Sequence, residues 1–193
     1  MRPVALLALL FPLSATAEPA VTRRLEPEAP REEVRNWGNL RVGGALGAGE
    51  GRPELCGEFA PLAFLAVEAC GTGAGILHDD PIDQAMHVRA KLRLLRFAAG
   101  EILLEPLVGA GLIELQLGED DPGFRFGDTG PRGVETAGVE VMGGVRALFS
   151  LGAGFELIGE LSGGVGYTPH APELIRPMTR TPVFGALTVG VGF

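Results

Sequence analysis

The last thirteen residues of the chain alternate between apolar and small or polar side chains, and this alternation limits the fold more than any other feature. Successive odd positions are apolar, and they include Val183, Leu187, Val189, Val191 and Phe193. Side chains two residues apart point to the same side of a β-strand. The segment therefore predicts a strand with one apolar face, and Phe193 lies on that face.

Seven earlier segments show a similar alternation. Together with the last one, they cover about residues 39–48, 54–60, 62–77, 85–96, 101–118, 135–149, 154–167 and 181–193. No run of about 18 apolar residues occurs, so the sequence offers no membrane-spanning helix. The 30 glycines fit tightly curved strands better than helices. We therefore expect an all-β protein with eight strands.

The connections between these segments alternate in length. Short turns are expected at 60–62, 97–100 and 150–153, and longer polar loops are expected at 49–53, 77–84, 119–134 and 168–180. Short turns at one end and long loops at the other are typical of transmembrane up-and-down β-barrels. The predicted fold class is thus an eight-stranded antiparallel up-and-down transmembrane β-barrel.

The N-terminal region has the features of an exported protein. Residues 1–17 contain an apolar stretch followed by the small residues Ala15-Thr16-Ala17, as in a signal peptide. A buried N-terminal helix is the alternative. Residues 18–36 are rich in Pro, Glu and Arg, and we expect them to form a disordered periplasmic leader. The barrel is then expected to occupy residues 37–193.

The charge of the chain bears on its possible partners, and its cysteine content bears on its compartment. Removal of the signal peptide would leave 15 basic and 24 acidic residues, which argues against binding to nucleic acid. Cys56 and Cys70 would lie in an oxidising compartment, where a pair of cysteines forms a disulfide by default. They are equally far from residue 63, near a predicted turn, so we expect a disulfide across that hairpin. Two free buried thiols are the alternative.

Charged side chains share one face of most predicted strands, and a membrane barrel places that face in its lumen. The predicted luminal network contains Arg41, Glu54, Glu58, Glu68, His87, Arg89, Lys91, Arg93, Glu114, Glu140, Arg146, Glu156 and Glu160. An eight-stranded barrel is only wide enough for its own side chains. We therefore expect a closed, salt-bridged lumen and no open pore.

Turn positions predict which of these charges meet. Glu68 is expected opposite Arg93, and Arg146 opposite Glu156, because opposite charges on neighbouring strands stabilise a sheet. Glu105 and Glu114 differ in parity. A bulge near Pro106, or a position of Glu105 beyond the membrane at the turn, would reconcile them.

Aromatic residues fall near the predicted strand ends, as expected for anchors at a membrane interface. The predicted anchors are Trp37, Phe59, Phe97, Phe149, Phe155, Tyr167 and Phe193. Tyr167 belongs to the long-loop end, where Phe184 is also expected, and the others belong to the opposite end. A soluble barrel would place its aromatic residues in the core, without regard to strand ends.

Residues 37–193 resemble the small outer-membrane barrels of the OmpA/OmpX type. The resemblance is carried by the eight segments, the aromatic residues and the closing motif Ala186-Leu187-Thr188-Val189-Gly190-Val191-Gly192-Phe193. It implies a place in the bacterial outer membrane, contact with its lipid, and recognition of the closing motif by the barrel-assembly machinery. It also implies a structural or surface-interaction role through extracellular loops, with an extracellular partner that the sequence does not identify.

The sequence assigns no catalytic residue, metal site or cofactor. A lipid-modifying barrel enzyme is one alternative, but Ser150 and Ser162 do not fall beside His78 or His170. A soluble secreted barrel with an apolar ligand is another, and it would carry its charges outside.

Two acidic loops invite a divalent-cation hypothesis, although solvated loop charge is favoured. Their carboxylates belong to Asp79, Asp80, Asp83, Glu119, Asp120, Asp121 and Asp128. Phe124 and Phe126 lie in the longest loop. They are expected either to contact a partner or to fold back over the barrel mouth.

Overall fold

The structure is a computed structural model that describes residues 37–47, 51–72, 83–118, 125–128 and 130–193. The predicted signal peptide and leader lie outside the described residues. So do several loop residues singled out above, namely His78, Asp79, Asp80, Glu119, Asp120, Asp121 and Phe124. Among the described residues, no helix is long and apolar enough to cross a membrane.

The described part of the chain is built almost entirely of strands. They are β1 (Gly38–Gly47), β2 (Pro53–Leu62), β3 (Leu65–Gly71), β4 (Asp83–Arg93), β5 (Phe97–Ala99), β6 (Ile102–Leu117), β7 (Glu135–Gly152), β8 (Phe155–Tyr167) and β9 (Val183–Gly192). A single turn of 3₁₀ helix, Ala171–Glu173, interrupts the connection between β8 and β9.

The strands form one closed antiparallel barrel. Around the wall they follow the order β1, β2, β3, β4, β6, β7, β8 and β9, and β9 pairs with β1 to close the ring. The three-residue strand β5 also pairs with β6, directly after β4 ends, so β4 and β5 together form one barrel strand. The predicted eight-stranded antiparallel barrel is therefore confirmed.

The predicted closing strand forms the seam of the barrel. Asn39 on β1 lies opposite Gly192 on β9, and the pairing continues without a shift to Gly47 opposite Phe184. Beyond the last pair, the backbone N–H groups of Trp37 and Gly38 donate to the carbonyl oxygen of Phe193 at 2.9 and 3.1 Å. Since the seam has no unpaired edge along these residues, the sheet offers no strand for edge-to-edge aggregation there.

Each short turn contains two residues, and all three lie at the same end of the barrel. They are Ala63-Phe64, Gly100-Glu101 and Ala153-Gly154. The predicted turns at 60–62, 97–100 and 150–153 are therefore wrong by one to three residues. The cause is an extra residue near the end of each strand that precedes a short turn, which displaces the turn along the chain.

Pro106 explains one of these irregularities. Three residues, Leu94 to Arg96, lie opposite only two residues of β6, Glu105 and Pro106. Proline has no N–H to donate to the ladder, so regular pairing is interrupted at this point. The predicted bulge near Pro106 exists, but it lies in the neighbouring strand. It turns Phe97 to the outer side of the wall, opposite Leu104.

The seam also depends on a glycine in close contact with a neighbouring backbone. A Cβ atom at Gly190 would lie 1.9 Å from the carbonyl oxygen of Leu40, whereas a Cβ atom at Gly159 would meet nothing within 4 Å. A backbone oxygen in a sheet cannot move aside as a flexible side chain can. The wall therefore cannot accept even a methyl group at Gly190 without displacing β1.

We expect Gly190→Ala to lower the free energy of unfolding by about 1–3 kcal/mol, the usual cost of overpacking. Gly159→Ala is the matched control, and it should change stability by less than about 0.5 kcal/mol. Urea titration in detergent, followed by circular dichroism, measures both. Equal stability of the two variants would contradict the close contact at the seam.

Candidate functional site

The interior of the barrel is lined by charged side chains from every wall strand except β9. Alternate residues of each strand point inward, and the register aligns them in rows. The buried inward residues include twelve of the predicted network, namely Arg41, Glu54, Glu58, Glu68, His87, Arg89, Lys91, Arg93, Glu140, Arg146, Glu156 and Glu160. The structure therefore brings together all the predicted residues except Glu114.

Lys91 lies at the centre of this interior. Its ammonium nitrogen is 2.6 Å from a carboxylate oxygen of Glu160, 2.8 Å from Glu68 and 3.2 Å from Glu58. The side chain has no exposed surface. Three carboxylates from strands β2, β3 and β8 thus converge on a cation from β4, which ties distant parts of the wall together.

Two arginines complete this central group. Arg146 donates to both carboxylate oxygens of Glu58 and to Glu160, and Arg41 contacts Glu68 and, at 2.7 Å, Glu160. We call these six residues the central cluster: Arg41, Glu58, Glu68, Lys91, Arg146 and Glu160. It contains three cations and three carboxylates, so it is neutral when all six are charged. This balance offsets the large cost of removing the charges from water.

The carboxylates of Glu58, Glu68 and Glu160 lie close enough together to bind a metal ion. The Lys91 ammonium, however, is already in contact with all three, and guanidinium groups contact the remaining oxygens: Arg146 those of Glu58 and Glu160, and Arg89 that of Glu68. A divalent ion would therefore have to displace Lys91 and leave a buried ammonium without its partners. The three carboxylates therefore serve as partners for the lysine and arginine side chains of the chain itself.

Further ion pairs extend the central cluster toward the short-turn end. Arg93 donates to Glu58 at 2.8 Å, and Arg96 donates to Glu105 at 2.9 Å. Glu105 is buried and was missing from the predicted network, because its parity conflicts with that of Glu114. The pairing of β6 with β7 is unbroken from Ile102 to Gln116, and it places Glu105 inside and Glu114 outside.

The predicted opposite pairs Glu68–Arg93 and Arg146–Glu156 are wrong. In the register, Glu68 lies opposite Arg89 and Arg146 lies opposite Glu160. Each prediction assumed a centre of pairing about two residues away from the one that the register shows. Since strand partners shift by twice the displacement of that centre, both pairs are wrong by four residues, which preserves the face but changes the partner.

The upper part of the interior, toward the long loops, begins at His87. Its Nδ1 atom lies 2.6 Å from a carboxylate oxygen of Glu140, and its ring packs against Phe184 with centroids 4.8 Å apart. The Arg89 guanidinium also lies over the Phe184 ring, at 5.6 Å. Phe184 is thus inside the barrel, and its predicted place at the outer rim is wrong. Its even number on β9 gives it the inward parity.

Phe184 belongs to an apolar layer. It consists of Ala85, Ile113, Leu115, Met142, Phe184 and Ala171, with Met178 packed against it. Ala171 and Met178 belong to residues 168–182, here called the lid loop, and the Met178 N–H donates to the Ala171 carbonyl oxygen at 2.9 Å. The lid loop thereby places apolar side chains over the barrel interior at this end.

Glu114 lies on the outer side of the wall and is buried there by a loop. Its carboxylate accepts hydrogen bonds from the Gln116 side chain at 2.6 Å and from the Phe126 backbone N–H at 2.7 Å. Glu135, on the neighbouring strand, accepts from the Gly127 N–H at 3.3 Å. Backbone donors of the loop therefore attach it to the outside of β6 and β7. At Phe126 the loop does not fold over the barrel mouth.

The predicted interface anchors are all exposed, and they mark the two ends of the wall. They are Trp37, Phe59, Phe97, Phe149, Phe155, Tyr167 and Phe193. Phe64 was not among the predicted anchors, although it lies in a two-residue turn and is also exposed. An aromatic residue in a short turn between two apolar faces is the signal that could have identified it.

The serine and histidine residues considered for catalysis lie apart. Ser162 lies in the middle of β8, opposite Gly144 and Ala186, and Ser150 lies near the turn after β7. His170 is in the lid loop, 3.6 Å from Asp128 and 3.4 Å from Glu173. Among the described residues, the two serines and His170 thus lie at different heights along the barrel. No nucleophile–base pair is formed by Ser162 and His170.

Removal of the central cation should be costly. We expect Lys91→Met to lower the free energy of unfolding by about 3–5 kcal/mol, because buried carboxylates lose their partner. A second change, Glu160→Gln, should recover part of this loss. The exposed pair Arg176–Asp83 provides the control, and Arg176→Ala should cost less than about 1 kcal/mol. Urea titration that shows equal losses for the two single variants would contradict the role of Lys91.

The stability of the folded chain should depend on pH through Glu135. Burial and the neighbouring Glu114 carboxylate raise the pKa of Glu135 above its ordinary value. The folded chain therefore holds this proton more tightly than the unfolded chain does, and this stabilisation is lost as pH rises through the raised pKa. We expect Glu135→Gln to remove this part of the decrease in the free energy of unfolding with rising pH. Urea titration of the parent chain and the variant at several pH values measures the difference, and identical pH profiles would contradict the prediction.

Comparison of the chain with protein-family models, curated proteins and solved structures finds no match. The fold is therefore established by the strand register, and the OmpA/OmpX resemblance stays an expectation from sequence. The two sides of the wall differ in their chemistry. The inner side carries the central cluster, and the outer side carries apolar side chains.

Proposed function

We propose that this barrel resides in a bacterial outer membrane and has a structural or surface-interaction role through its long loops. One observation carries the proposal: the outer wall is apolar. Among the described residues, 32 large apolar side chains are exposed, and they occur on all eight barrel strands. A monomer in water rarely exposes a continuous apolar area larger than a few hundred Å².

The height of this apolar surface fits a bilayer. On β8 it extends from Phe155 through Leu161 to Tyr167. Thirteen residues of strand span about 40 Å, and a strand tilt of about 40° reduces the height to roughly 30 Å. The hydrocarbon core of a membrane is about 30 Å thick. Aromatic residues at both ends of β8 would then lie at the two interfaces.

The filled interior favours a structural or interactive role over transport. The central cluster joins strands on opposite sides of the barrel through direct ion pairs. Above it, the apolar layer packs beneath the lid loop. In the proposed location, the long-loop end of the barrel would lie outside the bilayer on the extracellular side. Contact with an extracellular partner would take place there.

A charge placed in the middle of the apolar surface tests the membrane location. Leu161 is 54% exposed at the centre of β8, and Ile175 is 61% exposed in the lid loop. In a bilayer, Leu161→Arg should cost about 2–4 kcal/mol, the value for arginine near the membrane midplane. Ile175→Arg should cost less than about 0.5 kcal/mol. Urea titration of protein folded in lipid vesicles measures both.

The outcome separates the two environments, because both side chains are similarly exposed. A protein that lives in water would tolerate both arginines equally, and that result would overturn the proposal. Gel migration with and without boiling supplies a second measurement, since membrane barrels resist SDS until heated. A soluble fraction with no heat-dependent shift would also overturn the proposal.

A further inference from the structure

The disulfide lies inside the barrel, between rows of buried side chains. The predicted pairing is confirmed: Cys56 and Cys70 lie directly opposite each other on β2 and β3, and their sulfur atoms are bonded. Both residues are only 2% exposed. On the same row, Arg41 lies beside Cys56 and His87 lies beside Cys70. The disulfide is thus flanked by two large buried side chains.

The rows above and below are also buried. Toward the short turns, the next inward pair is Glu58 and Glu68, which belongs to the central cluster. Toward the long loops, Glu54 and Thr72 follow on the same two strands, and both are buried. The disulfide therefore has side chains of the folded barrel on every side within the wall.

The chemistry of disulfide formation requires much more room than this. One cysteine thiolate attacks a disulfide of the donor, and a mixed disulfide forms as the donor releases one sulfur as a thiolate. The second cysteine thiolate then attacks the mixed disulfide. The chain gains its disulfide and loses two protons and two electrons, and the donor becomes a dithiol. A mixed disulfide with a protein donor cannot be accommodated inside the closed wall.

The pairing of the two cysteines, in contrast, needs only local structure. Fourteen positions separate them, and the two-residue turn Ala63-Phe64 joins their strands. A hairpin of this size forms within microseconds, far faster than disulfide exchange. The sulfur atoms can therefore meet while the rest of the chain is still open.

We propose that Cys56 and Cys70 are oxidised before the barrel closes, by a protein disulfide donor that acts on the open chain. Closure then removes the disulfide from reach of thiols. The inference follows from burial and register, and it does not depend on the membrane location proposed above. It adds a partner of defined chemistry to the assembly of this protein: a dithiol–disulfide oxidoreductase in its oxidised form.

The full chain tests this order directly. Reduced chain in urea is exposed to diamide either before or after folding into detergent, and free thiols are counted by maleimide labelling after heating in SDS. We expect rapid oxidation before folding and oxidation at least about 100-fold slower after it. Equal rates would overturn the proposal.

A second measurement covers the case in which reduced chain does not fold. Oxidised, folded protein is treated with dithiothreitol, and the same protein in urea is treated in parallel. We expect at least about 100-fold slower reduction of the folded form. Reduction at equal rates would overturn the proposal, whatever the reduced chain does.

A control variant moves the cysteine pair to the outer face of the same hairpin. It combines Cys56→Ser and Cys70→Ser with Gly57→Cys and Ala69→Cys, which are direct partners in the register. Diamide is small and uncharged, so it should oxidise the outer pair at similar rates before and after folding. Equal slowing of both pairs would show that enclosure in the barrel is not the cause of the slow oxidation, and it would overturn the proposal.

Discussion

Charge balance around Lys91 is the constraint on which the rest of the structure depends. An ammonium with no exposed surface is tolerated only because three carboxylates contact it, and those carboxylates need Arg41 and Arg146 in turn. The six residues of the central cluster come from six different strands, so the balance exists only when the wall is closed. Closure of the seam and neutralisation of the interior are therefore one event.

This arrangement also sets the outer surface. The period of a strand is two, so charges fixed on the inner side leave the intervening residues on the outer side. On β8, Glu156 and Glu160 point inward, while Leu157 and Leu161 point outward. An interior of ion pairs thus comes with an apolar exterior. That combination makes lipid the suitable surroundings in the proposed function.

The sequence was sufficient for the eight-stranded barrel and for the faces of most strands, because these depend on the alternation of residues. It was also sufficient for the disulfide, because the chain has two cysteines and a predicted export signal. It was not sufficient for individual partners. A turn misplaced by two residues still preserves parity, so Arg146 was placed inside correctly but given Glu156 in place of Glu160. Glu114 shows a different limit: it has the polar character of an inner residue, but the loop that follows β6 buries it outside. Covering by an irregular loop leaves no periodic signal.

Odd and even positions of a barrel strand face opposite sides of the wall. The bulge at Leu94 to Arg96 adds one residue opposite Pro106, which has no N–H to donate, and it thereby exchanges the two faces. Before it, odd positions such as Arg93 face inward. After it, Arg96 contacts Glu105 inside and Phe97 turns outward. The bulge thus allows one barrel strand to place a cation in the interior and an aromatic ring at the outer rim at neighbouring positions.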